Sequence, residues 1–339
     1  MATYSAQCYP LQDNCISHMF SYTDIMFEQI TYSQDLWINF DAIFNQTPDL
    51  DSDVNFTLLL IFLSKNHQIK RLFFYDWFDG SVIRSINLDR LTKLAENYKI
   101  IWLTQNQTPP LVPGVDAITS DFLWNRSKSA YLDKRPGWKQ SGDINNYSLI
   151  DLDFISARSC KYISLSRFMS SRRKELVELL KNYHGYLSYS VDTYLRGNQQ
   201  SDEKILMGMS VLPAKKYLTD CYICCQVESV DNDYRQILIT EKTYDMLIQG
   251  LIVINFASPG FYNTLQNLGW QLPIGIDTTW DSIADTEIRF NQYLVCLSRL
   301  IDQELDQLHE LYVANRSVIE HNRSILITKL YDTAWTQIL

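Results

Sequence analysis

Ile239-Thr240-Glu241-Lys242 opens the stretch that decides the fold class. Residues 243–250, Thr-Tyr-Asp-Met-Leu-Ile-Gln-Gly, continue it with the character of a short helix. Residues 251–256, Leu-Ile-Val-Ile-Asn-Phe, follow at once as an apolar run with the length of a buried strand. A helix that leads directly into a fully apolar strand is typical of α/β proteins, in which helices cover both faces of a parallel sheet.

Lys242 lies in the first turn of this predicted helix. A cation is unfavourable there, because the helix dipole already places about half a positive charge at that end. An anion bound by the free backbone N–H groups would remove the conflict. The sequence therefore predicts a phosphate-bearing ligand at this helix. The alternative is a solvated lysine at an ordinary helix end.

A second segment repeats the arrangement. Residues 162–165 are a short strand candidate, residues 166–171 a loop, and residues 172–180 a helix with apolar side chains at helical spacing. Three cations, Arg-Arg-Lys, open this helix at 172–174, and Ser170 or Ser171 is a candidate N-cap. Loops of this kind gather at the carboxyl ends of parallel strands, so we expect both helix starts to face one anionic ligand.

The rest of the chain alternates between strand and helix patterns. Residues 55–62 fit either a strand or a buried helix, and residues 287–313 fit one long helix or two shorter ones. Further strands are predicted at 70–75, 99–104, 115–119, 186–190 and 221–227, and a further helix at 88–97. We expect an α/β fold of two Rossmann-like domains that face each other across a cleft. The domains are 1–155 and 156–339.

Composition narrows the class of protein. Apolar residues make up 46% and charged residues 20%, as in soluble globular proteins. The net charge of −9 argues against a broad nucleic-acid surface, although a local basic cleft remains open. The start of the chain lacks the pattern of a signal peptide, and the longest apolar run, 56–63, is too short to span a bilayer. Seven cysteines without a regular framework suit a reducing compartment. These features predict a cytoplasmic protein without a membrane span.

The same segments resemble the α-1,3-fucosyltransferases. Val227-Glu228-Ser229, a loop and then Thr240-Glu241-Lys242 are similar to that family's Phe-Glu-Asn-Ser, loop, Thr-Glu-Lys signature. A stretch from Ser166-Arg167 through Arg173 to Leu180 is similar to an upstream family segment. Glycosyltransferase-like proteins of phages, giant viruses and bacteria share Thr-Glu-Lys, the Ser-Pro-Gly turn at 258–260, Leu-Gly-Trp at 268–270 and a later Asp277. The resemblance covers roughly residues 160–330.

The resemblance implies a GT-B glycosyltransferase whose C-terminal domain holds a nucleotide-sugar donor. Carried over by position, Arg173 and Lys242 would neutralise the donor diphosphate, and Glu241 would accept hydrogen bonds from the ribose. Arg167, Glu228 and Thr240 fall within the same motifs and are assigned to donor binding. The donor is a substrate, so no cofactor is expected. Cations of the protein stabilise the leaving diphosphate, so a metal ion is not needed.

The general base is where the sequence departs from the family. The family has Glu-Asn-Glu-Ser-Pro after a strand, whereas this chain has Gln-Asn-Gln-Thr-Pro at 105–109, and a glutamine amide cannot take up a proton. Another acid then supplies the base, or the enzyme is retaining, or the first-half alignment is wrong. Among the first-half acids Asp76, Asp79, Asp116 and Asp121, we select Asp121 as the candidate. Its alternative role is a helix N-cap.

Several alternatives remain open. Asp-x-Asp at 151–153 and at 231–233 matches a metal-binding pattern, although such pairs are common in loops. The acceptor is a glycan, a protein or a hydroxymethylated DNA base, and the acidic net charge leans away from DNA. A chain that lost its base would bind nucleotide sugars without turnover. A dinucleotide oxidoreductase is disfavoured, because no Gly-x-Gly-x-x-Gly follows a predicted strand.

Overall fold

The structure is a computed structural model with an α/β architecture. It describes residues 35–39, 52–75, 85–104, 106–119, 124, 131–132, 148–166, 170–188, 215–228 and 237–329. Both of its described sheets are parallel, and helices lie between most successive strands, which is compatible with a Rossmann-like fold. The described residues divide into two compact units, of which the first ends by residue 119 and the second runs from 124 to 329.

The first unit contains a four-stranded sheet with strands in sequential order, β1-β2-β3-β4. Its elements are β1 (Asp35–Asn39), α1 (Ser52–Lys65), β2 (Arg71–Tyr75), α2 (Ser85–Ala95), β3 (Lys99–Thr104) and β4 (Val115–Thr119). The side chains of Leu72, Phe74, Ile100 and Trp102 meet apolar side chains of α1 and α2 in one buried core. The segment that fitted strand or helix is therefore helix α1, which packs on this core.

The second unit contains a four-stranded parallel sheet in the order β6-β5-β7-β8. Its strands are β5 (Cys160–Leu165), β6 (Gly185–Ser188), β7 (Cys221–Val227) and β8 (Ile252–Phe256). Its helices are α3 (Ser171–Leu180), α4 (Lys215–Asp220), α5 (Glu241–Ile248), α6 (Phe261–Asn267), α7 (Thr286–Ile301), α8 (Leu305–Ala314) and α9 (Arg316–Thr328), with a 3₁₀ turn at Thr279–Ser282. Every residue of β7 and β8 is buried, as expected for strands covered on both faces.

Most predicted elements are confirmed, with ends shifted by a few residues. The long pattern at 287–313 is two helices, because Glu304 and Gln307 form a reciprocal capping box that starts α8 after a break. Ser170 is the N-cap of α3, and its hydroxyl accepts a hydrogen bond from the backbone N–H of Arg173 at 3.3 Å. The sequence prediction lacked β1, α4, α6 and α9.

Trp124, Ser148 and Ile150, although they precede residue 155, belong to the second unit. The buried ring of Trp124 contacts Tyr244 and Trp270 edge-on, each at a centroid distance of 5.7 Å. Gln249 accepts a hydrogen bond from the N–H of Ile150 and donates one to the carbonyl oxygen of Ser148. The assignment of an acceptor-side domain 1–155 and a donor-side domain 156–339 stays a prediction.

Candidate functional site

The strand order of the second sheet places a topological switch point at its carboxyl edge. The chain leaves β5 towards β6 on one side, and leaves β7 towards β8 on the other. The loops after β5 and β7 therefore diverge, and parallel α/β sheets bind ligands at such a switch point. Helix α3 begins after β5, and the segment that leads to α5 begins after β7. Both helix starts identified from the sequence thus belong to this edge.

Arg173 is anchored at this switch point. It lies in the first turn of α3, and its Nε and Nη2 atoms donate hydrogen bonds to the carbonyl oxygen of Val227 at 3.0 and 2.9 Å. Val227 is the last residue of β7. These two bonds fix a half-buried guanidinium across the ends of the two strands that flank the switch point. The location is suited to an anion, because a cation at a helix N-terminus otherwise opposes the helix dipole.

The neighbouring cations of α3 have other surroundings. The guanidinium of Arg172 pairs with the carboxylate of Glu287 on α7 and lies 6.0 Å from the centroid of the Phe290 ring. Lys174 is exposed. The sequence grouped all three cations at one anionic ligand, whereas the structure directs Arg172 towards α7 and holds Arg173 at the strand ends.

Glu228 is the centre of a buried network beside α5. Its side chain is only 3% exposed. Thr240 Oγ1 donates to Glu228 Oε2 at 2.8 Å, and Thr243 Oγ1 donates to Glu228 Oε1. Asn255 Nδ2, on β8, donates in turn to Thr243 Oγ1 at 2.8 Å. The carboxylate thus joins the end of β7, the first turn of α5 and β8.

Helix α5 begins without a side-chain cap. Thr240 is its N-cap residue, but the threonine hydroxyl donates to Glu228 and accepts no hydrogen bond from the first-turn N–H groups. Lys242 is half-buried in that turn. The predicted excess of positive charge is smaller than the sequence suggested, because the Glu228 carboxylate lies beside the same turn. For Glu241 the structure describes the helical backbone but not the side chain.

Two buried amides close to this network lack some of their hydrogen-bond partners. Gln226 is 1% exposed, and neither atom of its amide has a partner. Asn255 Oδ1 also lacks one. The two residues are directly paired between β7 and β8, so their side chains lie on the same face of the sheet. Sequence reasoning missed Gln226, Thr243 and Asn255. For Gln226 and Asn255, the available signal was a polar residue inside an apolar strand.

Several of the remaining predicted site residues lie outside the part of the chain that the structure describes. Asp121 and Arg167 lie outside the described residues, as do Gln105, Asp76, Asp79 and the aspartates at 231–233. Asp116 lies 3.8 Å from Lys99 at the amino end of the first sheet, away from the loop at 106–108. In that loop the side chain of Asn106 is buried and accepts a hydrogen bond from the N–H of Thr108. Gln107 is half-buried.

Asp153, the second aspartate of the first Asp-x-Asp match, caps a loop. Its Oδ1 atom accepts hydrogen bonds from the N–H groups of Ile155 and Ser156 at 2.8 and 3.0 Å. Hydrogen bonds from Ser156, first from its side chain, lower the pKa of Asp153 to about 2. Within the described ranges, no group of three or more His, Cys, Asp or Glu side chains is arranged to hold a metal ion. None of the helices in those ranges is long and apolar enough to cross a bilayer.

Comparisons with known proteins add no family assignment. No protein-family model matches the chain, and no curated protein matches it. The functional interpretation therefore depends on the site geometry and on the resemblance between short motifs.

Proposed function

We propose that this protein is a glycosyltransferase of GT-B type that transfers a sugar from a nucleoside-diphosphate donor to a hydroxyl group of an acceptor. The observation that carries the proposal is the Arg173 guanidinium, held by the carbonyl oxygen of Val227 at the switch point of a parallel sheet. Switch points of this kind bind nucleotides, and a guanidinium matches phosphate oxygens in charge and geometry. The acceptor is a glycan, a protein or a hydroxymethylated DNA base.

The residues of this edge have complementary roles in the proposed reaction. Arg173 and Lys242 bind the donor diphosphate, and the positive end of the α5 dipole favours the same anion. When the sugar leaves, negative charge grows on the diphosphate, and fixed cations stabilise it without a metal ion. Glu241 accepts hydrogen bonds from the ribose. Arg167 and Thr240 complete the donor site, and Asp121 is the proposed general base.

A second candidate function is nucleotide-sugar binding without turnover. The loop after β3 favours it, because this chain has Gln105 and Gln107 where the resembling family has glutamates. Asn106 fixes the turn of that loop by accepting the N–H of Thr108 at 2.9 Å. Neither glutamine side chain can remove a proton from an acceptor hydroxyl. Both candidate functions share the donor site, so donor binding is tested first and turnover second.

The first test is a thermal-shift screen against UDP-, GDP-, ADP-, TDP- and CMP-sugars in the presence of EDTA. A ligand that binds only the folded state raises the melting temperature by mass action. We expect one nucleoside-diphosphate sugar to do so, and we expect Arg173→Ala to weaken its affinity by about 10- to 100-fold, as for loss of a charged hydrogen bond. Arg299→Ala is the matched control, since Arg299 is exposed on α7.

Two results would contradict the proposal. One is the absence of a shift with every donor, both in EDTA and with added Mg²⁺ or Mn²⁺. The other is equal donor affinity in wild type and Arg173→Ala, which would remove Arg173 from the site. Release of nucleoside diphosphate in the presence of an acceptor would then distinguish the transferase from the binding protein.

A further inference from the structure

We propose that Cys160 and Cys221 form a redox-active dithiol, which a peroxide converts into a disulfide bond between β5 and β7. Cys160 is the first residue of β5, and Cys221 is the first residue of β7. The pair therefore lies at the amino edge of the second sheet, at the opposite end of these strands from the proposed donor site. The inference depends on the surroundings of the two thiols and does not rest on the proposed function.

The strand register brings the two side chains together. Cys160 and Cys221 are directly paired between the parallel strands β5 and β7. Because side chains alternate between the faces of a sheet, directly paired residues project from the same face, and neighbouring strands are about 4.8 Å apart. Disulfide bonds join residues whose Cα atoms are roughly 4.4–6.8 Å apart. The register thus allows a disulfide bond with little movement of the backbone.

Hydrogen bonding gives the two thiols different chemical roles. The single proton of the Cys221 thiol lies between two acceptors, the carbonyl oxygen of Tyr162 at 3.1 Å and the sulfur of Cys160. The contact with Cys221 lowers the pKa of the Cys160 thiol to about 6, although burial opposes the shift. Burial raises the pKa of the Cys221 thiol. Cys160 is therefore the thiolate that reacts with an oxidant, and Cys221 is the neutral thiol beside it.

A cavity of about 460 Å³ brings a small oxidant close to the pair. Its lining includes Ser159 and Asp220, the residues that immediately precede Cys160 and Cys221 in the chain. The Ser159 hydroxyl oxygen lies 3.7 Å from the Cys160 sulfur. The two cysteines are only 2% and 0% exposed, so direct attack by a bulky oxidant from the surface is disfavoured. A polar cavity of this size admits water-sized molecules, which favours hydrogen peroxide as the oxidant.

The proposed reaction is a two-electron oxidation of the dithiol by hydrogen peroxide. The Cys160 thiolate attacks one peroxide oxygen, so that an S–O bond forms, the O–O bond breaks and hydroxide leaves. The sulfur of Cys221 then attacks the sulfur of Cys160, and the sulfenic hydroxyl group leaves as water with the thiol proton of Cys221. The hydroxide from the first step takes up the proton that Cys160 released on ionisation. Two thiols and one peroxide thus give one disulfide and two water molecules.

Three more cysteines in the described part of the chain serve as internal controls. Cys224 and Cys225 are consecutive residues of β7, so their side chains point to opposite faces of the sheet. Both are buried, and burial raises the pKa of each thiol. Cys296 on α7 is half-buried, and burial together with the charge of Asp277 raises its pKa. We therefore expect these three thiols to stay reduced while Cys160 and Cys221 are oxidised.

The test is peptide mapping by mass spectrometry after the full-length protein has been treated with a small excess of hydrogen peroxide at neutral pH. Thiols that remain reduced are alkylated in denaturant before digestion. We expect a disulfide bond between Cys160 and Cys221 that dithiothreitol reverses. Cys221→Ser keeps a hydrogen-bond donor beside Cys160 but removes the second thiol, so Cys160 should gain oxygen instead, as sulfenic or sulfinic acid. Cys296→Ser is the matched control and should form the same disulfide as wild type.

The wild-type map decides the proposal even if a variant fails to fold. The proposal would be overturned if Cys160 were recovered as a free thiol, as a sulfinic acid or bonded to a different cysteine. Oxidation of Cys296 as fast as that of Cys160 would also overturn it, because the pair would then have no special reactivity. A reversible bond between Cys160 and Cys221 in wild type and in Cys296→Ser, with oxygen gained at Cys160 in Cys221→Ser, supports it.

Discussion

Both described sheets have four parallel strands, but the chain connects these strands in different orders. In the first sheet the described strands follow one another as β1-β2-β3-β4, whereas the second sheet has the order β6-β5-β7-β8. A sequential order sends each crossover in the same direction. The second order reverses direction between β5 and β7, and so separates the loops at their carboxyl ends. Strand order therefore decides which of the two described edges contains a switch point.

The carboxyl edges also differ in how their polar groups are satisfied. At the first sheet, Asn106 bonds to Thr104, Thr108 and Thr119, all within one loop and its two flanking strands. At the second sheet, Glu228 and Arg173 make bonds that connect separate elements. Local turns stabilise a loop, whereas bonds between elements fix functional groups relative to one another. At the second edge, the hydrogen bonds of Glu228 and Arg173 therefore hold separate elements in fixed positions relative to one another.

The largest expected effect is a loss of stability on removal of Arg158, a buried cation at the amino edge of the second sheet. Arg158 is 7% exposed before β5, and its guanidinium donates to the carbonyl oxygens of Leu218 and Cys221 and to the hydroxyl of Tyr312. Burial lowers its pKa. Arg158→Ala leaves two carbonyl groups without this donor and creates a cavity. We expect the free energy of unfolding of the second unit to fall by about 3–5 kcal/mol.

Urea denaturation monitored by tryptophan fluorescence measures this loss. Arg158→Lys keeps the charge but not the fork of donors, so it should lose less than Arg158→Ala. A loss below about 1 kcal/mol for the alanine variant, within the range of a single hydrogen bond, would show that the buried guanidinium is not needed to hold this edge together.

The sequence was sufficient for most elements because their signals are local. The apolar runs of β3, β7 and β8 are long enough to identify strands, and Ser170 was recognisable as an N-cap before a helical pattern. Helix α1 could not be separated from a strand, since its sequence is apolar over consecutive positions. Strand β1, Asp-Leu-Trp-Ile-Asn, is only five residues long and was missed.

The site was predicted less completely, for a physical reason. Arg173 and Lys242 stand out in the sequence because a cation opposes the dipole at a helix start. The position of Gln226 beside Asn255 in the candidate site depends on the direct pairing of these two residues between β7 and β8. The hydrogen bonds of Glu228 depend on where α5 packs after the loop. Such contacts between distant parts of the chain follow from strand register, which no local pattern specifies.

A smaller effect is expected from Asp281, whose carboxyl group covers the start of α6. Burial raises the pKa of Asp281 from 3.8 to about 6, although N–H groups and Arg289 oppose the shift. A raised folded-state pKa means that stability is fully present below about pH 4 and is lost as the pH rises through 6. Relative to Asp281→Asn, which does not titrate, wild type should lose about 2–2.5 kcal/mol between pH 4 and pH 7.

Urea midpoints of both proteins across this pH range check the prediction. The control is Asp285→Asn, because Asp285 is an exposed N-cap of α7 and its carboxylate accepts the N–H of Ile288. If the difference between wild type and Asp281→Asn stayed constant from pH 4 to pH 7, the pKa of Asp281 would be the same in the folded and unfolded states. The start of α6 would then hold an ordinary charged cap.

The smallest expected effect is at the amino edge of the first sheet. Lys99 Nζ lies 3.8 Å from Asp116 Oδ2, and the two side chains are 60% and 66% exposed. Water and salt screen such a pair, so a double-mutant cycle of Lys99→Ala and Asp116→Ala should give a coupling of about 0.2–0.5 kcal/mol. The coupling should shrink further in 0.5 M NaCl, since the Debye length there is only about 4 Å. A coupling above about 1 kcal/mol, outside the usual range of exposed pairs, would contradict the contrast drawn with Arg158. The first sheet would then also depend on a charged group at its amino edge. The two sheets would differ only in strand order and in the groups at the switch point between β5 and β7.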